Sequence, residues 1–243
     1  MINKFNENKE FNHFQDLSNQ WWDAEGKFKI LHSITPLRIY YIKKNVINRH
    51  KIKDKKKPLC NLDILDLGCG GGLACEPLAR LGANVTGVDF IKKNIEVAKQ
   101  HAIKSNLSIQ YTKNNLSSLN LKKKYDLILL LEVIEHLDNW KKTISKSRTL
   151  LKPKGRMIFS SINRTILSKI LAIFLTEQIL GWIPKNTHTY SKLIKPEELK
   201  SFVENNKMKT IDITGLVFNP IISEWSLNKN KTRINYFLTA EKI

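Results

Sequence analysis

Two carboxylates and an imidazole fall within five residues in Glu132-Val-Ile-Glu-His136. Side chains of these types, so close together, support three kinds of chemistry. A histidine titrates near neutrality and can take the proton of a weakly acidic hydroxyl; a phenol, with a pKa of ~10, is a poor nucleophile until that proton is gone. A base so placed is worth about 10²–10⁴-fold in rate. Alternatively, Glu132, Glu135 and His136 hold a divalent cation such as magnesium, which binds a catechol and acidifies its hydroxyl. In the third reading the segment is structural, with Glu132 touching a ligand or the backbone and His136 capping the next helix. The residue types leave all three open.

A second constellation lies upstream, in Ile64-Leu-Asp-Leu-Gly-Cys-Gly-Gly-Gly72. A glycine turn after a first strand lets a ligand approach the backbone at the carboxyl end of a sheet, and an acid about 20 residues on can hold a ribose diol. Gly68 and Asp89 have that spacing. Dinucleotide enzymes share this much. Two details argue against a dinucleotide: the third glycine of GxGxxG would fall on Leu73, and Asp66 would sit unfavourably beside a pyrophosphate. Asp66 suits a cationic ligand instead. S-adenosylmethionine carries an ammonium and a sulfonium and no phosphate, and is the expected cofactor. The competing reading is that Asp66 only braces the loop by hydrogen bonds. Leu131, at the end of the next apolar strand, should place its backbone beside the nucleoside. Arg38 could pair bidentately with the methionine carboxylate, or be merely solvated.

Elements that would position these groups follow from periodicity. Strands are expected at Asp63–Leu67, 84–90, 108–112, Tyr125–Leu131 and 156–161. Helices are expected at 72–81, 94–105 and 139–151, with Lys152-Pro-Lys-Gly155 as a turn. The run Tyr125–Leu131 is nearly all apolar, as a strand buried on both faces should be. Such alternation implies right-handed crossovers and a doubly wound parallel sheet. Segments 208–214 and 235–241 read as closing strands. Residues 5–50 read as helical, with Phe11, Phe14, Leu17 and Trp21 on one face. Thr35-Pro36 predicts the start of a second helix there, with Thr35 as N-cap and Pro36 in the first turn.

The chain of 243 residues is long enough for one large α/β domain, and 42% hydrophobic and 26% charged residues are ordinary for a globular protein. The balance of 41 Lys plus Arg against 22 Asp plus Glu, a net charge of +19, suits nucleic acid or an anionic membrane surface. Scattered lysines amid abundant Asn and Ile fit compositional bias equally well. Three cysteines, Cys60, Cys69 and Cys75, cannot pair completely within the chain and fit a reducing cytoplasm. No signal-peptide core and no spanning apolar run are read. Residues 163–190 hold an apolar stretch interrupted by Lys169, Glu177 and Gln178. It suits a helix in a membrane interface, a lid on a substrate pocket, or a core helix.

Taken together, Trp21-Trp-Asp-Ala-Glu-Gly26, Leu31-His32, Pro36-Leu-Arg38, Leu65-Asp-Leu-Gly-Cys-Gly-Gly-Gly72, Thr86-Gly-Val-Asp89, Glu132-Val-Ile-Glu-His136, Pro184-Lys-x-Thr-His188 and Gly215-Leu-x-x-Asn-Pro220 resemble the ubiquinone biosynthesis O-methyltransferase family over about residues 11–240. The resemblance implies a Rossmann-like class I methyltransferase fold, a seven-stranded sheet with its last strand antiparallel. It implies O-methylation of a 2-polyprenyl-6-hydroxyphenol and of 3-demethylubiquinol. The family's cofactor residues fall on Arg38, Gly68, Asp89 and Leu131. Eukaryotic relatives place a divalent metal on the segment matching Glu132, Glu135 and His136. The insertion matches a region associated with membrane contact. The expected organisation is one domain over 1–243, with an N-terminal helical cap and basic loop (1–57), a cofactor-binding core (58–162), an amphipathic insertion (163–190) and closing strands (191–243). The expected location is cytoplasmic, at the inner membrane, among other ubiquinone biosynthesis proteins. The rivals are a nucleic-acid methyltransferase, a nicotinamide oxidoreductase and a non-catalytic membrane scaffold. The segment after Tyr125–Leu131 is Glu-Val-Ile-Glu and not the Asn-Pro-Pro-Tyr type of base methylation, so no nucleic-acid partner is expected.

Overall fold

A computed structural model describes residues 17–50, 55–168 and 190–243. The insertion, beyond its first residues, lies outside them, as do Phe11, Phe14 and most of the basic run at 51–57. The strands are β1 (Asp63–Leu67), β2 (Asn84–Asp89), β3 (Gln110–Lys113), β4 (Tyr125–Leu131), β5 (Leu151–Ile162), β6 (Met208–Asn219), β7 (Glu224–Asn228) and β8 (Asn235–Lys242). The helices are α1 (Lys29–His50), α2 (Cys75–Arg80), α3 (Lys92–Lys104), α4 (Trp140–Thr149) and α5 (Pro196–Asn205).

The sheet has the order β3-β2-β1-β4-β5-β8-β6-β7. The first five strands pair in parallel, and β8 runs antiparallel between β5 and β6. This is the expected doubly wound α/β sheet with an antiparallel last strand, but among the described residues it has eight strands and not seven. The extra strand is β7. β6 continues past the expected end at 214 to Asn219, turns through 220–223 and pairs back from Asn219↔Glu224 to Gly215↔Asn228. The ring of Trp225 packs on Phe218 with centroids 5.0 Å apart, and the Ile221 N–H donates to Asn219 Oδ1 at 3.0 Å. This aromatic pair and Asx turn hold a hairpin that periodicity alone did not announce.

β4 sits at the centre and faces two cores. Ile128 and Leu130 join Leu65, Phe159, Leu238 and the α4 and α5 residues Ile144, Leu199 and Val203. Leu127 and Leu129 join Ile64, Ile158, Phe237 and the residues Tyr41, Ile42, Leu78 and Ala98 of α1, α2 and α3. The period-2 alternation of a strand accounts for the division.

Two local expectations change. α1 begins at Lys29, so Pro36 lies inside it and Thr35 is no N-cap: its hydroxyl donates to Leu31 O at 2.6 Å. Pro36 removes one helical N–H bond. The earlier start is set by Phe28, stacked on Trp21 at 3.9 Å, whose carbonyl accepts from the His32 N–H. The α1 helix is thereby fastened at one end to the glycine loop. Its middle packs on the sheet, where Tyr41 donates to Asp212 at 2.9 Å and stacks on Phe237. The turn at 152–155 is present as an irregularity inside β5. Tyr125 pairs with Leu151 but Leu127 pairs with Arg156, and Lys154 takes a φ of 58° to absorb the slack.

Candidate active site

The carboxyl edge of the parallel strands carries the site. β1 ends at Leu67, and the loop turns back over β2 as the Gly68 and Cys69 N–H groups both donate to Val88 O. Gly68 has φ 79° and a Cβ there would meet Val133 at 2.3 Å; Gly70 has φ 53° and a Cβ would meet the Trp21 ring at 2.4 Å. Only glycine combines this left-handed backbone with so close an approach.

Asp89 ends β2 beneath this loop and is 4% exposed. Its carboxylate accepts from the N–H groups of Gly70 (2.9 Å) and Ile91 (2.8 Å) and from Asn94 Nδ2 (3.3 Å). Burial raises its pKa, and these donors oppose the rise. Asn94 links this to the N-terminal segment, its Oδ1 accepting from Ser18 Oγ (2.7 Å) and Trp21 Nε1 (2.8 Å). On the loop's other flank, Trp22 Nε1 donates to Gly71 O at 2.9 Å. The two tryptophans thus straddle the loop. Asp66 is buried, with Cys75 Sγ donating to it at 3.2 Å. Burial pushes its pKa up to about 6, against the pull of Cys75 and of the Arg38 charge. The three cysteines are free thiols.

Arg38 reaches the same edge from α1. It is 4% exposed, its Nη2 donates to Glu132 Oε2, and its Nε is buried with no hydrogen-bond partner among the described residues. Leu131, half-buried, pairs with Ser160 across the β4–β5 ladder. Arg38, Leu131 and Glu132 therefore meet at the tip of β4. Gly68 joins them through its contact with Val133.

The acid–histidine segment is divided. Glu132 faces Arg38 and Ser160. Glu135 is buried and accepts from Ser161 Oγ at 3.1 Å; burial raises its pKa, partly offset by His136. His136 is half-exposed on the turn Ile134–His136. It does not cap the next helix: Asn139 does, accepting from the Lys142 N–H at 2.9 Å. Among the described residues no three His, Cys, Asp or Glu side chains are grouped to hold a metal ion. The expected cation site on Glu132, Glu135 and His136 therefore does not fit this arrangement. Beside the turn opens a cleft of about 330 Å³, lined by Leu137, Trp140, Leu193 and Ile194 with Arg164 and Glu198.

Trp22, Asn94 and Ser160 were not singled out as site residues from sequence. Trp21 and Trp22 lie in a quoted motif, and Asn94 stands five residues after Asp89, in the first turn of α3. These are signals of position only; the links across the chain that give them meaning are invisible to spacing.

Residues 65–159 match the methyltransferase domain family. The chain is 44% identical to a ubiquinone biosynthesis O-methyltransferase of Pelagibacter ubique, over 94% of this chain and 95% of that protein. It is 43% identical to one of Bartonella tribocorum, over 96% and 95%, and 40% identical to one of Rickettsia bellii, over 96% and 95%. Among solved structures it is similar to magnesium protoporphyrin IX methyltransferase from Synechocystis PCC 6803 with bound SAH, with a TM-score of 0.61, 20% identity and 85% and 83% of the two chains covered. A SAM-dependent methyltransferase of Thermotoga maritima gives a TM-score of 0.64 at 14% identity, covering 96% of this chain and 100% of that one.

Proposed function

The chain belongs to the ubiquinone biosynthesis O-methyltransferase family and is an S-adenosylmethionine-dependent O-methyltransferase; from that premise we propose that it methylates a 2-polyprenyl-6-hydroxyphenol and 3-demethylubiquinol. The observation that carries this reading is identity of 40–44% with relatives of that name over nearly the whole of both chains. The nucleic-acid alternative rested on net charge alone and gains nothing from these relatives.

The site residues fit the cofactor. Asp89, at the end of β2, takes the ribose diol in this reading, and Gly68, just past β1, offers its backbone to the nucleoside. Leu131 supplies an apolar contact, Asp66 a negative charge for the ammonium, and the unpartnered Nε of Arg38 a donor for the methionine carboxylate. Bound S-adenosylmethionine supplies an electrophilic methyl on its sulfonium. His136, on the turn after β4, would take the acceptor hydroxyl's proton and leave the oxygen ready for the methyl that the cofactor would supply. Most of the rate comes from holding oxygen and methyl in line.

The acceptor's prenyl tail belongs in a bilayer, so the protein works as a peripheral membrane protein. No described helix is long and apolar enough to cross a membrane. The +19 charge supports attraction to anionic lipid, and Ile221 and Ile222, 91% and 59% exposed on the β6–β7 hairpin at the site's edge of the sheet, support apolar contact. Methyl transfer to a polyprenyl catechol tests the reading. Turnover is expected, and His136→Ala should lower it about 10²-fold or more with cofactor affinity retained. Cofactor binding without transfer to either acceptor overturns it.

A further inference from the structure

We propose that Glu132 is a positioning residue: held by Ser160, it aims the Arg38 guanidinium at the carboxylate of an amino-acid-bearing cofactor. The proposal rests on the assignment of that carboxylate to Arg38. Glu132 has a φ of 50°, a left-handed conformation that is strained for a residue with a Cβ. It is kept there by three bonds to one residue. Its N–H donates to Ser160 O (3.0 Å) and to Ser160 Oγ (3.2 Å), and Ser160 Oγ donates to Glu132 Oε2 (2.9 Å). Ser160 is 1% exposed and fixed in the β4–β5 ladder. The strained turn thus delivers a carboxylate at one place, and Arg38 Nη2 meets it there.

The consequence lies at Arg38. A guanidinium is a rigid fork, so fixing one N–H direction fixes the others. With Nη2 held, the Nε donor is left buried and, among the described residues, unsatisfied, a penalty that an arriving oxygen would remove. Without Glu132 the arginine would be a buried, unpaired charge with rotamer freedom, and the cofactor would have to order it. The oxygen shared by Ser160 and Arg38 is poorly placed to serve as a base or a metal ligand.

Calorimetry with S-adenosylhomocysteine, together with steady-state kinetics, tests this on Arg38→Ala, Glu132→Ala, Glu132→Gln, Ser160→Ala and the Arg38→Ala/Glu132→Ala double variant. Glu132→Ala should weaken binding about tenfold or more, and the loss should fall on the KM for S-adenosylmethionine and not on kcat. Glu132→Gln keeps an acceptor and should recover most of the affinity. The double variant should bind no more weakly than Arg38→Ala alone. Lost kcat with unchanged cofactor affinity in Glu132→Ala, or activity of the Gln variant abolished, overturns the proposal. Unchanged affinity in Arg38→Ala overturns the cofactor assignment as well. If Glu132→Ala fails to fold, Ser160→Ala carries the test: it should bind more weakly than the parent protein, and parental affinity overturns the proposal.

Discussion

Trp22 lies face to face on His101, ring centroids 3.5 Å apart and planes 3° from parallel. His101 Nδ1 is 2.6 Å from the buried Glu76 Oε1, so the stack joins the N-terminal segment to α2 and α3 at once. The indole N–H then reaches the Gly71 carbonyl. Trp22→Ala should lower stability by about 1–3 kcal/mol through lost aromatic contact. It should also weaken cofactor binding several-fold, because the loop loses a donor. Trp22→Phe keeps the ring and loses the N–H, so it should restore stability more than affinity. Thermal denaturation and calorimetry on the two variants separate these effects; equal loss of both in Trp22→Phe contradicts the division.

Gly70→Ala meets two obstacles, a φ of 53° and the Trp21 ring 2.4 Å from the new Cβ. The expected cost is about 1–3 kcal/mol of stability with cofactor binding reduced further. Pairing it with Trp21→Ala relieves the clash but not the strain, so the double variant should recover part of the affinity at most. Full recovery would mean that the backbone conformation is unimportant.

Asp66 makes the free protein sensitive to pH. Its carboxyl, buried, is raised from 3.8 to about 6. The folded state thus binds the proton more tightly than the unfolded chain does, and disfavours the charged form. The penalty is absent below about pH 4, grows as pH rises to about 6, and is complete above, where it reaches about 3 kcal/mol. Asp66→Asn should therefore stabilise the cofactor-free protein near pH 8 and lose that advantage near pH 4. Cofactor affinity should fall as pH drops through about 6, and the Asn variant should lack this inflection. Denaturant midpoints and binding isotherms across pH 4–8 read both.

The hairpin tip offers a test of membrane contact that leaves the cofactor site alone. Ile221→Glu/Ile222→Glu removes two exposed aliphatic side chains. Partition onto phosphatidylglycerol vesicles should fall by about tenfold or more, from the value of burying an isoleucine. Cofactor affinity should not change. Unaltered partition places the contact elsewhere on the chain.

The fold was legible because β4 and its neighbours are read by local rules. Five consecutive aliphatic residues, Leu127 to Leu131, demand burial on both faces, and glycines mark the turn after β1. The positions proposed for the cofactor follow the same local rules, since Asp89 and Leu131 end strands and Gly68 follows one. Three things were not legible. Pro36 inside α1 contradicts the usual helix-start signal because Phe28, stacked on Trp21, fixes the start earlier. β7 depends on Trp225 meeting Phe218. The acid–histidine cluster read as one unit because its members are adjacent in sequence. The left-handed turn at Glu132 and the burial of Glu135 send them to different partners.

The bonds from Asn94 to Ser18 and Trp21 span 76 and 73 positions of the chain. The β5–β8 ladder closes spans just as long, from Ile162↔Asn235 to Arg156↔Glu241, and the entropic cost of closure grows only slowly with length. Seating residues 17–28 therefore costs the chain about as much order as closing its sheet. The support of the glycine loop is a tertiary property of the whole fold, not a local property of the turn that carries it.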